Sequence, residues 1–143
     1  MSLVLGEELL REICQHGEQA YPEEGAGFLL GTEGEHRSIK DIIPLPNAHE
    51  AGARHNRYLI TPEDFLKAET KAEERSLSVL GVFHSHPDHP DDPSEFDREW
   101  AQPGFSYLIT SIESGNALGT KSWRLTEDRG RFIEEEVTIV QSE

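Results

Sequence analysis

Cysteine is nearly missing from this sequence: Cys14 is the only one among 143 residues. No intrachain disulfide can form, and zinc sites that need two thiolates are excluded, including the deaminase arrangement ending in C-x-x-C. A chain without disulfides fits a reducing compartment, so a cytoplasmic protein is expected. Basic residues are also scarce. Lys and Arg number 13 against 28 Asp and Glu, for a net charge of −15. A phosphate backbone demands the opposite sign, which argues against nucleic acid as a partner. Long apolar runs are absent too, and nothing approaches the roughly 20 residues of a spanning helix. The opening Met1-Ser-Leu-Val-Leu-Gly-Glu-Glu has no basic leader and too short an apolar stretch for a signal peptide. Neither a membrane protein nor a secreted one is expected.

What is present suits one modest core. Hydrophobic residues make up 35% and charged residues 29%, and this length matches a single domain, so one domain over residues 1–143 is expected. The acids are scattered rather than blocked. They fit a solvated surface, as in proteins working at high salt, or a match to a basic partner. No segment is low in complexity and no period repeats.

Apolar residues at positions 5, 9, 10, 13 and 14 predict a first helix over Leu3 to Gln19, with Cys14 packed in the core. Proline in Tyr21-Pro22 ends it. Ala26 to Gly31 is a short apolar run between glycines and reads as a buried strand. Arg37 to Leu45 alternates as its hairpin partner. Residues 46–56 read as a loop and Tyr58 to Ile60 as a brief strand. Thr61-Pro62-Glu-Asp64 is a helix start, with Thr61 as N-cap, and the helix runs to about Arg75 with Phe65, Leu66 and Ala72 facing inward. Ser78 to His84 is the most strand-like run in the chain. A loop rich in proline and acid follows, and Ser94-Glu-Phe-Asp97 opens another helix with capping-box chemistry. Phe105 to Ile112, Leu118 to Leu125 and Phe132 to Val140 supply three more strands, with turns at Ser114-Gly115 and Asp128 to Gly130. The expected fold class is α/β in the mixed α+β sense: a single layer of mixed, largely antiparallel sheet packed by two or three helices.

The chemistry concentrates in His84-Ser85-His86-Pro87 and Ser94-Glu-Phe-Asp97. Residues i and i+2 of a strand share a face, so His84 and His86 can aim both imidazoles at one point. Neutral imidazole suits Zn²⁺, but a catalytic zinc usually takes three protein ligands and keeps a fourth position open. Asp97 can be the third if the loop 87–93 folds back. Alone, H-x-H is weak, and Asp97 could merely complete the capping box of Ser94. H-S-H-P combined with S-x-x-D at this spacing is far more specific.

These segments resemble the JAMM metalloproteases of the MPN-type domain, whose signature is an upstream glutamate followed by H-[S/T]-H-x7-S-x-x-D. Residues 87–93 supply the seven-residue spacer, and Glu24-Gly25-Ala26-Gly27-Phe28 matches the upstream element. Ser106-Tyr-Leu-Ile and Ser122-Trp-Arg-Leu extend the likeness over nearly the whole chain. Ala26 stands where many relatives carry cysteine, a position that is not a ligand in the family. The resemblance implies an MPN core with a cytidine-deaminase-like layout, and one zinc per chain held by His84, His86 and Asp97. It implies Glu24 as general base, moving a proton from the nucleophilic water to the leaving amine, and Ser94 as a hydrogen-bond donor to the oxyanion. Glu23 is the rival for the base. Alternation on a strand would let only one of the two adjacent acids face the metal. The implied activity is hydrolysis of a peptide or isopeptide bond after the C-terminal Gly-Gly of a ubiquitin-like or sulfur-carrier protein. The chain has no long insertion of the kind that grips ubiquitin in eukaryotic members.

Two other readings compete. One is a non-catalytic MPN-type binding module, which the complete ligand-and-glutamate set disfavours. The other is a zinc hydrolase of small molecules. His89 could reach the metal, but it reads better as a solvated loop residue, as do His49 and His55. Gly25 to Gly31 misses the dinucleotide spacing by one residue, position 53 is not the histidine of H-E-x-x-H, and no nucleophile elbow is present.

Overall fold

The computed structural model describes residues 2–45, 60–94, 97–98 and 101–141. Among these residues, seven strands and two full helices follow the order β1 (Ser2–Gly6), α1 (Glu7–Ala20), β2 (Ala26–Glu33), β3 (Arg37–Pro44), α2 (Pro62–Glu74), β4 (Ser78–Pro87), β5 (Ser106–Glu113), β6 (Asn116–Leu125) and β7 (Phe132–Val140). The expected loop at 46–56, with His49 and His55, and the strand residues Tyr58 and Leu59 lie outside the described residues.

The first departure from expectation is at the start. Leu3 and Leu5 are fully buried on a strand rather than on a helix. Five residues of alternation are too few to outweigh a helical pattern that shares Leu5, and Gly6 marks the actual boundary. Helix α1 then begins with Glu7 and Glu8 in its first turn, where acids favour the dipole. Along it Ile13 is buried, while Cys14 is only half-buried, so the expected core cysteine sits at the margin.

The second departure depends on the first. The strands run β1-β3-β2-β4-β5-β6-β7 and close into a barrel, not the single open layer expected. Closure is made by β1, which pairs in parallel with β3 (Leu3 opposite Arg37) and with β7 (Leu3 opposite Val137). A first segment read as helix hides the strand that joins the two edges. The mixed character holds: β4–β5 is parallel, and β2–β3, β2–β4, β5–β6 and β6–β7 are antiparallel. Gly81 is required where β4 meets β5, because a Cβ there would stand 2.0 Å from the Ser106 carbonyl oxygen.

Two apolar clusters clamp the sheet. Ile13 of α1 joins Leu3, Leu5, Leu29, Phe83 and Leu108 in one. Ala68 and Ala72 of α2 join Phe28, Leu30, Val82, Tyr107 and Leu125 in the other. Helix α2 starts with a reciprocal capping box, Asp64 N–H to Thr61 Oγ1 (3.1 Å) and Thr61 N–H to Asp64 Oδ2 (2.9 Å). Its inward stripe is Ala68 and Ala72, both buried, with Phe65 partly buried beside them. Leu66 is 65% exposed, against expectation, because it lies about 100° around the helix from Phe65. Among the described residues no helix is long and apolar enough to cross a membrane.

Candidate metal centre and active site

Strand β4 runs three residues past the histidine where the sequence suggested its end, so both His84 and His86 are in extended backbone, on one face and buried. Register places His84 beside Ala26 on β2 and Ile109 on β5. The segment that follows folds back. Asp88 N–H donates to the Ile112 carbonyl (2.6 Å), Ser111 Oγ to the His89 carbonyl (2.6 Å), and Trp123 Nε1 to the Asp91 carbonyl (2.9 Å). Lys121 lies 3.8 Å from both Asp91 and Asp92. The acids and prolines of this loop are thus stapled along β5 and β6, and Asp97 is carried back to the histidines.

Asp97 and Arg98 are helical. Asp97 N–H donates to Ser94 Oγ (3.1 Å), and Ser94 N–H to Asp97 Oδ2 (2.8 Å). The capping box and the carboxylate cluster are therefore the same residues. His86 Nε2 stands 3.1 Å from Asp97 Oδ2, and His84 Nε2 stands 3.6 Å from Asp97 Oδ1. One ligand atom from each of His84, His86 and Asp97 falls within 4.8 Å of the others. A tetrahedral zinc with bonds of about 2.0–2.1 Å sets its donors about 3.4 Å apart, and the separations of 3.1 and 3.6 Å bracket that value.

Hydrogen bonding supports the same fit. A carbonyl only accepts, so His86 Nδ1 must donate to the Pro90 oxygen at 2.8 Å. In a neutral ring Nε2 then carries a lone pair aimed at Asp97 Oδ2. Two acceptors at that distance require a proton or a cation between them. Without metal, a proton serves: burial alone would lower His86, but the hydrogen bond and charge of Asp97 outweigh it and raise its pKa. Burial likewise works against ionising Asp97, yet the neighbouring His84, the His86 hydrogen bond and the Ser94 N–H hold it well below the usual carboxylate range. His84 is pushed down to about 4, mainly by burial, which leaves it neutral and ready to ligate.

Glu24 joins this group from the segment before β2. It is 5% exposed, and its Oε1 lies 3.7 Å from His84 Nδ1 with no hydrogen bond of its own. Burial, with the nearby Asp97 charge adding to it, pushes its pKa up to about 9. Glu23 is half-buried. Neither acid is on a strand, so the alternation argument for choosing between them does not apply. What orients the segment is Ser85, which faces away from the histidines. Gly25 N–H donates to Ser85 Oγ (2.8 Å), and Ser85 N–H donates to the Gly25 carbonyl (3.0 Å). One backbone–backbone bond and one to the Ser85 hydroxyl thus continue the β2–β4 pairing by one residue and bring Glu24 to the histidines. Strand parity in H-S-H carried that signal, since the middle residue must face the opposite side.

Ser94 is exposed at the rim. Its oxygen accepts from Asp97 N–H, and its hydroxyl proton is still a donor, so capping and oxyanion support are compatible roles. His89 is exposed and contributes no atom to the ligand group.

A family profile for prokaryotic homologues of the JAB domain matches residues 6–126. A probable TtuB-protein conjugate cleaving protease of Thermus thermophilus is 37% identical over 110 residues, covering 77% of this chain and 70% of that protein. A desampylase of Pyrococcus furiosus is 32% identical over 126 residues (88% and 83%), and a CysO-cysteine peptidase of Mycobacterium tuberculosis is 26% identical over 140 residues (97% and 92%). A solution structure from Desulfitobacterium hafniense superposes with a TM-score of 0.84 at 30% identity, covering 98% of this chain and 94% of that one. A JAB1/MPN domain protein of Archaeoglobus fulgidus shares the fold, with a TM-score of 0.61 at 20% identity over 98% of both chains. With the profile spanning most of its length, the chain belongs to the prokaryotic JAB family of JAMM-type metalloproteases.

Proposed function

We propose that the chain is a single-domain zinc isopeptidase or peptidase of the cytoplasm. In this reading it cleaves after the C-terminal Gly-Gly of a ubiquitin-like or sulfur-carrier protein. The observation that carries it is the convergence of His84, His86 and Asp97 on one point beside the buried Glu24. The names of the Thermus, Pyrococcus and Mycobacterium relatives support the substrate class. Nucleic acid and membranes have no part in it.

His84 Nε2, His86 Nε2 and an Asp97 oxygen would hold zinc. Bound there, zinc would supply Lewis acidity toward a carbonyl and water, and a dication's field that favours ionised Glu24. Glu24 Oε1 then accepts a proton from the attacking water and returns it to the departing amine. Ser94 Oγ–H donates to the oxygen of the attacked carbonyl as it gains charge. Pro90 holds His86 in the Nδ1–H tautomer, and Ser94 N–H holds the Asp97 carboxylate, so both donors are oriented in advance.

The test pairs elemental analysis after zinc repletion with cleavage of a sulfur-carrier fusion, with and without chelator. About one zinc per chain and chelator-sensitive cleavage beyond the diglycine are expected. A repleted protein with no stoichiometric zinc overturns the metal assignment, and a zinc-loaded protein inert on every diglycine fusion overturns the substrate class.

A further inference from the structure

Asp88 is one of the few non-glycine residues with positive φ (57°), directly after the ligand strand. Aspartate tolerates that conformation better than most side chains, though still at some cost. Its contacts join three separate stretches of chain. Asp88 N–H donates to the Ile112 carbonyl at the end of β5 (2.6 Å). Asp88 Oδ1 accepts from Ser114 N–H in the β5–β6 turn (2.9 Å), and Asp88 Oδ2 accepts from the Tyr21 hydroxyl (2.6 Å). Tyr21 stands three residues before Glu24, while Asp88 stands two residues after His86 and opens the loop that returns Asp97.

We infer that the Tyr21–Asp88 bond is a positioning clasp for the proposed reaction, fixing the Glu24 segment against the loop that bears the metal ligands. Glu24 is held from one side by the Gly25–Ser85 bonds. From the other side, Glu23 N–H donates to the Ala20 carbonyl (2.8 Å), which ties the segment back to α1, and the Tyr21 hydroxyl ties it across to the loop at Asp88. The acceptor is a carboxylate and the bond is short, and Asp88 is itself fixed by two backbone contacts. Releasing the hydroxyl therefore unlinks the Glu24 segment from that loop, leaving it only its bonds to α1 and Ser85, while the metal ligands keep their own bonds to Pro90 and Ser94. Misplacing a proton-transfer group slows chemistry far more than it weakens binding.

The inference rests on Glu24 being the proton-transfer group, and its test is a double-mutant cycle on the zinc-loaded enzyme. Tyr21→Phe should lower kcat about tenfold, leave KM within a factor of about two, and leave zinc stoichiometry and Tm unchanged. Asp88→Asn, which keeps an acceptor and tolerates positive φ, should retain most of the rate, whereas Asp88→Ala should match Tyr21→Phe. In a Glu24→Gln background, Tyr21→Phe should cost nothing further, because the group it positions is gone. Hydrogen exchange should show residues 23–26 less protected in Tyr21→Phe. An unchanged kcat in Tyr21→Phe overturns the clasp, as does full additivity with Glu24→Gln. A fully active Glu24→Gln overturns the reading beneath it instead.

Discussion

The protein buries two polar clusters, and they are built on opposite rules. Inside the barrel, Arg37 donates to Ser106 Oγ (3.0 Å) and to the Leu80 carbonyl (3.2 Å), and Ser106 donates to Glu135 Oε1 (2.9 Å). Ser122 meets the same oxygen (2.8 Å), and Arg124 Nε donates to Glu135 Oε2 (2.5 Å). Each acid there faces a guanidinium or a hydroxyl, so the desolvation of charge is offset on the spot. The second cluster holds two acids and two imidazoles, with a buried Glu24 oxygen making no hydrogen bond. One network is complete in itself. The other sets a buried carboxylate oxygen without a hydrogen bond beside donor atoms that converge on one point, the arrangement expected of a polar cluster with a chemical task.

The largest expected difference between the clusters comes from removing a ligand. Asp97→Ala deletes both a donor and the partner of the Ser94 N–H, so stoichiometric zinc and measurable cleavage should both disappear. Elemental analysis and turnover decide it. An Asp97→Ala protein that keeps both would move the metal elsewhere.

Glu24→Gln ranks next. The amide leaves His84, His86 and Asp97 intact, so zinc should stay while the rate falls by roughly 10²–10⁴, the usual contribution of a positioned general base. Glu23→Gln is the control and should stay near wild type. The reverse pattern, a dead Glu23→Gln with an active Glu24→Gln, would exchange the two roles.

In the closed network the expected damage is to stability alone. Glu135→Ala removes the acceptor of two buried hydroxyls and the carboxylate that Arg124 Nε meets, the Arg124 side chain being 26% exposed. Breaking a buried pair costs about 3–5 kcal/mol, and that partial exposure puts this case near about 3 kcal/mol. Tm should fall by roughly 10 °C. Zinc content and turnover per folded molecule should not change, and a loss of either would mean that the two clusters are coupled through the sheet.

Sequence carried the active cluster further than it carried the barrel. His84, His86 and Asp97 lie within 14 consecutive residues, and strand parity plus a capping box, both short-range rules, make the trio legible, although the fold-back that joins them leans on β5 and β6. Barrel closure depends on Leu3 meeting Val137, a pairing across nearly the whole chain that no local period encodes. The interior network has the same difficulty. Arg37, Ser106 and Glu135 look like ordinary surface polar residues until the strands that bear them are adjacent. Leu66 failed for another reason: an apolar residue beside a helical stripe is not thereby on it. Ser85 and Asp88 lay in plain sight inside the motif. Their roles depend on which backbone groups face them, and only the folded register supplies that.

The last effect, spread over several pH units, is the most specific probe of the charge around Glu24. In the metal-free protein, burial raises the pKa of Glu24 from 4.5 to about 9. Between those values the folded state holds a proton that the unfolded state has released, so this group withdraws stability as pH rises through the window. Glu24→Gln has nothing to titrate. Metal-free Glu24→Gln should therefore gain on metal-free wild type as pH goes from 5 to 8, by at most about 1.4 kcal/mol per pH unit. His84, with its pKa moved down to about 4, acts the other way between that value and about 6.5, adding stability as pH rises. It is present in both proteins and cancels in the difference. Zinc should abolish the advantage, since a dication beside the carboxylate favours the charged form. Urea melts of both proteins from pH 5 to 8, with chelator and then with zinc, measure this directly. A difference that stays flat with pH without metal, or persists unchanged with it, would mean that Glu24 does not feel the site.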